Sequence, residues 1–178
     1  MKNMNKKRDI LFWITGLSGA GKTSIGNKIK KNISKIYGPT LIISGDNLRS
    51  IFGLKGYDYQ DRLIILRKYN KFAKYITNQK INLIFAVVGM VDEIRLWNRK
   101  NIDNYIEIYV KSKIKNIKKQ NKKRIYHQKR PGKIIGIDIK AELPKNPDIT
   151  INNSFNLSVD EISKRLFKRI NKLLYKKS

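Results

Sequence analysis

The chain has 178 residues, 40% of them hydrophobic, which is enough for one α/β domain with a sizeable core and leaves little room for a second. With no cysteine, and His127 as its single histidine, it excludes disulfides and thiolate metal sites, argues against zinc, and fits a reducing, cytoplasmic setting. The formal charge is +27, but lysine, isoleucine and asparagine abound throughout and only Lys111 to Lys133 concentrates basic residues, so non-specific adhesion to polyanions is expected and specific nucleic-acid binding is not.

The N-terminus is basic (Lys2, Lys6, Lys7, Arg8), and the apolar run after it breaks at Thr15 and Gly16, which is no secretory signal. Nowhere is an apolar stretch long enough to span a bilayer, so no membrane partner is expected. A first strand is predicted near Ile10 to Thr15. Directly after it, Gly16 to Ser24 reads GLSGAGKTS and fits G-x-x-x-x-G-K-[ST]. At a strand-to-helix junction this is a phosphate-binding loop. Its glycines let backbone N–H groups curl around a phosphate, Lys22 adds a charge, and the Thr23 hydroxyl can ligate Mg²⁺. Gly16, Ser18, Gly19, Ala20, Gly21, Lys22, Thr23 and Ser24 are therefore the expected ATP-binding residues.

A helix leaves this loop toward Tyr37 and stops before Gly38 and Pro39. The second strand lies near Thr40 to Ser44 and the third near Asn82 to Val88, whose continuous apolarity argues for burial on both faces. The fourth is near Tyr105 to Val110 and the fifth near Asp148 to Asn152. Helices are expected over about Gln60 to Asn78, Glu93 to Lys100 and Val159 to Tyr175, the last with Ser158 as N-cap and Glu161 at the capping-box position. Trp97 and Tyr105 read as packing residues. Alternating strands and helices of this kind build a single P-loop NTPase domain over residues 1–178, three-layered α/β/α around a five-stranded parallel sheet.

In such sheets ligands bind beyond the carboxyl ends of the strands. Asp46 follows the second strand, beside the phosphate loop. Phosphoryl transfer to an alcohol needs a group that orients the hydroxyl and takes its proton, and Asp46 is the carboxylate for it, with Lys22 as its partner in catalysis. A plainer role for Asp46, compatible with the first, is to cap a helix beginning at Asn47. A nucleic-acid-stimulated ATPase would need a water-holding carboxylate after the third strand, where the chain reads Val88, Gly89, Met90. An inactive relative would need a damaged phosphate loop or a lost Asp46, and neither is damaged.

The set WITGLSGAGKTS, SGDNLR, GYDYQDRLIILRK and GIDIKAELPKNPDITINN, in that order from Trp13 to Asn153, resembles the adenylylsulfate kinase family, which phosphorylates the 3′-hydroxyl of adenosine 5′-phosphosulfate with MgATP. The resemblance implies that Asp46 occupies the base position, that Lys22 and Thr23 serve ATP and Mg²⁺, and that Arg49 and Arg62 grip the anionic acceptor. An arginine fork suits a phosphate or sulfate. Tyr57 stands where the family has a stacking phenylalanine, and Arg67 and Lys123 keep family positions on the acceptor side.

Departures fall on that same side. The family's Glu-Asn-Ile-Arg is Ile64, Ile65, Leu66, Arg67 here, which removes an acceptor-holding asparagine. Ile134 replaces the second aromatic of the base sandwich, and Ser-Pro-Tyr after the third strand becomes Gly89, Met90, Val91. Of Asp-Pro-Lys-Gly-Leu-Tyr only Lys123 and Tyr126 remain. Adenylylsulfate is thus the default acceptor. The runner-up is another nucleotide-linked substrate, because GMVDEIRLWNRKNIDNYIEIYV is similar to a branch found with surface-polysaccharide genes that includes a cytidine diphosphoramidate kinase. A basic lid is expected over 121–140, with Lys123, Arg124, Lys129 and Arg130 as candidates to face the phosphates, Pro131 and Gly132 supplying the turn, and His127 on the surface. The expected partner is a small nucleotide-linked substrate, and a homodimer is compatible with the sequence.

Overall fold

The computed structural model describes residues 9–120 and 134–176. Strand β1 (Leu11–Thr15) is central, and the sheet runs β2 (Thr40–Ser44), β3 (Asn82–Val87), β1, β4 (Tyr105–Lys111), β5 (Ile149–Asn152), with every neighbouring pair parallel. Thr15 of β1 stands opposite Val87 of β3 and Tyr109 of β4, so at the carboxyl edge β1 and β3 end level and β4 runs two residues further. Ligands of such sheets gather at that edge.

Burial on both faces explains the unbroken apolarity of the inner strands. Phe12, Ile14, Ile84, Ile106 and Ile108 point to one side, into a core closed by helices α1 (Lys22–Tyr37) and α6 (Val159–Lys176). Leu11, Trp13, Leu83, Phe85 and Val87 point to the other, where α3 (Tyr59–Asn78) and α4 (Asp92–Asn101) pack. The α/β/α layering and the five parallel strands expected from the sequence are what the fold displays. Trp97 and Tyr105 pack into the second core as expected.

Local signals at the helix ends hold as well. The backbone N–H of Glu161 donates to the Ser158 hydroxyl at 3.2 Å and that of Ser158 to the Glu161 carboxylate at 2.9 Å, forming the reciprocal capping box. Two short helices complete the fold, the first starting two residues before the Asn47 start considered from the sequence and the second not expected. Helix α2 (Gly45–Ile51) starts directly on the end of β2, and α5 (Ile114–Lys119) lies inside the basic stretch. A capping role for Asp46 is corrected, because the Ser44 side chain accepts the Asn47 N–H at 3.1 Å and places Asp46 within the first turn. Among the described residues no helix is long and apolar enough to cross a membrane.

Candidate active site

The phosphate loop is shaped by glycine geometry. Gly19 and Gly21 hold φ of 76° and 94°, in the left-handed region that side chains disfavour. Gly16 is tighter still, since a Cβ there would lie 2.5 Å from the Val110 carbonyl oxygen on β4. Gly16→Ala is expected to lower unfolding free energy by about 1–3 kcal/mol through overpacking and backbone strain, measured by urea unfolding. From the loop, α1 begins at Lys22 with no side-chain cap and no acidic residue in its first turn. That helix start is suited to receiving an anion.

Two side chains brace the loop from inside. The buried Lys22 ammonium donates to the carbonyls of Gly16 at 2.9 Å and Leu17 at 2.7 Å. Asn153, at the end of β5, donates from Nδ2 to the Ala20 carbonyl at 3.0 Å. Sequence reasoning missed Asn153, although the rule of inspecting each residue that follows a strand would have found it.

Two chambers open at the carboxyl edge of the sheet. One, called the donor chamber because the sequence expects ATP along this loop, is lined by the loop residues Ser18, Gly19, Gly21, Lys22, Thr23 and Ser24, and by Asn153, Phe155 and Leu157 from the chain after β5. The acceptor chamber is lined by Arg49, Tyr57, Arg62, Ile65, Leu66, Tyr69, Ile134 and Ile135. Ser18, Gly45, Asp46, Val87 and Val88 line both, so Asp46 stands where the chambers meet. Among the described residues it is the only carboxylate in either lining.

The acceptor chamber carries two guanidinium groups set by backbone carbonyls. Arg49 donates to the carbonyls of Leu54 at 3.1 Å and Gly56 at 2.9 Å, and Arg62 donates from Nε to the Tyr57 carbonyl at 2.7 Å. Their carbons lie 4.5 and 5.5 Å from the Tyr57 ring centroid. Burial, and then the nearby Arg49 charge, lower the pKa of Arg62. Two like charges held in one chamber favour a multiply charged anion between them.

The other acceptor candidates divide. Ile134 is buried and faces the acceptor chamber. Arg67 lines neither chamber, and its guanidinium instead makes a two-point ion pair with the exposed Glu93 at 2.7 and 3.0 Å. Lys123, with Arg124, His127, Lys129, Arg130 and the turn at Pro131 and Gly132, lies outside the described residues.

Behind the chambers runs a buried charge network that the sequence did not announce. Arg95 pairs with Glu107 at 3.3 Å, both side chains 5% exposed, and donates to the carbonyls of Gly89 and Glu142 at 2.8 Å each. Glu142 accepts the Asp92 N–H at 2.5 Å and the Tyr59 hydroxyl at 3.2 Å. The stretch that follows Ile134 and Ile135 is thereby tied to the starts of α3 and α4. Burial pushes the Glu107 carboxyl up, against the pull of Arg99 and Arg95. Each charge in the network has a partner, as buried charges require.

The family model described as adenylylsulphate kinase matches residues 8–152. A cytidine diphosphoramidate kinase of Campylobacter jejuni is 32% identical over 168 residues, which are 93% of this chain and 98% of that protein. An adenylyl-sulfate kinase of Clostridium acetobutylicum is 31% identical over 157 residues, 84% of this chain and 78% of that one. Among solved structures, the Mycobacterium tuberculosis APS kinase CysC in complex with AMPPNP and APS superposes with a TM-score of 0.80 at 25% identity, covering 92% of this chain and 98% of its own. Phosphate loop, chambers and likeness agree, and the chain belongs to the adenylylsulphate kinase family.

Proposed function

We propose that this protein transfers the γ-phosphoryl group of ATP to a ribose hydroxyl of a small nucleotide-linked anion. The observation that carries the reading is the place of Asp46 at the junction of the two chambers. With ATP along the phosphate loop and the acceptor between Arg49 and Arg62, the Asp46 carboxylate takes the proton of the attacking hydroxyl. The new bond joins that oxygen to the γ-phosphorus, the bond to the β-phosphate oxygen breaks, and ADP leaves. Lys22 supplies positive charge to the phosphates.

The Thr23 hydroxyl and the Asp46 carboxylate are hard oxygen donors in the donor chamber, a set that fits Mg²⁺ held mainly by the nucleotide's own phosphates. Among the described residues no group of three His, Cys, Asp or Glu would hold a metal alone. The chemistry that Mg²⁺ would supply, bound there with ATP, is neutralisation of phosphate charge.

Of the two acceptors, cytidine diphosphoramidate is favoured over adenylylsulfate. The chamber holds Tyr57 as its exposed aromatic, with a guanidinium already over the ring, and aliphatic Ile134, Ile135, Ile65 and Leu66 elsewhere. The other ring in the lining, Tyr69, is buried and tied to Phe85 and the Gly45 carbonyl, so among the described residues no second exposed ring stands ready to sandwich a purine, and losing one stacking partner costs about 1–3 kcal/mol. The similarity to the Campylobacter jejuni enzyme along nearly its whole length supports the same choice. The test is ADP formation with each acceptor under identical conditions. Higher kcat/KM for the cytidine compound is expected, and preference for adenylylsulfate would reverse the choice of acceptor while leaving the kinase reading in place.

Arg62→Ala is expected to raise the acceptor KM about tenfold or more and leave the ATP KM unchanged, as read from two-substrate saturation curves. Equal rises in both would put Arg62 on the wrong side of the site.

A further inference from the structure

Helix α3 does more than line the acceptor chamber. Tyr69, 3% exposed, lies with its ring 5.3 Å from that of Phe85 and donates its hydroxyl to the Gly45 carbonyl at 3.0 Å. That carbonyl belongs to the peptide unit whose nitrogen is Asp46. Gly45 itself is closely packed, since a Cβ on it would meet Val87 at 3.2 Å and the Tyr69 ring at 3.5 Å. Arg62 sits seven residues before Tyr69, two turns up the same face of α3, and both side chains reach the acceptor chamber.

We propose that Tyr69 is a positioning residue for phosphoryl transfer, a strut that fixes the peptide carrying Asp46 to the same helix that holds the acceptor's anion through Arg62. The inference rests on the kinase reading above. A seven-residue helix such as α2 is held weakly by its own hydrogen bonds, so a base mounted on its first turn needs an external brace. The brace comes from α3, twenty residues long and packed on β3, so hydroxyl and proton acceptor keep one relative geometry whenever the acceptor is seated. Burial, reinforced by Asp46 and opposed by Arg49, pushes the Tyr69 hydroxyl up to about 12, which keeps it a donor at neutral pH.

The test is Tyr69→Phe, which keeps the ring and removes only the hydroxyl, made alone and together with Asp46→Asn in the full-length protein. The single variant is expected to lower kcat about tenfold while both KM values stay within about twofold, the scale of a small misplacement of a catalytic group. In the Asp46→Asn background the same change is expected to leave kcat where it stands, because the strut acts through the carboxylate. A tenfold loss in both backgrounds, or none in either, would overturn the strut; a melting temperature lowered with kcat intact would make Tyr69 structural only. Wild-type protein without acceptor-dependent turnover on either nucleotide would instead remove the kinase reading, and the strut with it.

Discussion

Replacing Asp46 with asparagine is expected to lower kcat by at least about 10²-fold with little change in ATP affinity. The amide has nearly the shape of the carboxylate and cannot accept the hydroxyl proton. The substitution leaves the helix cap and the strut in place, because Ser44 rather than Asp46 caps α2 and the brace from Tyr69 reaches the Gly45 carbonyl, not the side chain. As the only carboxylate lining either chamber among the described residues, Asp46 has no neighbour there to replace it. Steady-state kinetics with saturating ATP and acceptor measure the effect, and near-normal turnover would remove Asp46 from its post.

Lys22→Ala is expected to cost a similar factor in kcat, about 10² or more, and to weaken ATP binding as well. Its buried ammonium bridges the Gly16 and Leu17 carbonyls from inside the loop. Truncation therefore removes both the charge proposed to meet the phosphates and an observed brace of the loop. The two losses separate experimentally. A calorimetric titration with a non-hydrolysable ATP analogue reads the binding part, and single-turnover phosphoryl transfer reads the chemical part. Asp46→Asn should move only the second, so the pair of variants tells donor side from acceptor side.

Where function is written in local backbone chemistry, the sequence was readable. The phosphate loop needs glycines at fixed offsets, the inner strands need side chains apolar on both faces, and the last helix needs a Ser and a Glu three apart, and each expectation matches the fold. Boundaries shifted by a residue at several ends, as at β3, which stops at Val87 rather than Val88. What escaped was non-local. Tyr69 reaches Gly45 across 24 residues and Asn153 reaches Ala20 across 133, and no periodicity within either segment encodes such a contact. Asp46 was found by its place after a strand, yet its capping role went to Ser44, one turn chemistry substituting for another. Arg67 keeps a family position, but Glu93 on the neighbouring helix α4 engages its guanidinium, a competition visible only once α3 and α4 are packed together. The short helices α2 and α5 are too brief for a helical period to declare itself.

In the proposed reaction one carboxylate serves a hydroxyl delivered from one chamber to a phosphoryl group held in the other. Incubating the protein with γ-labelled ATP, Mg²⁺ and cytidine diphosphoramidate or adenylylsulfate, and locating the label, tests it most directly. Label is expected to leave ATP only when an acceptor is present and to appear on the acceptor's ribose hydroxyl. Label released as inorganic phosphate at the same rate with or without acceptor would contradict the proposed reaction.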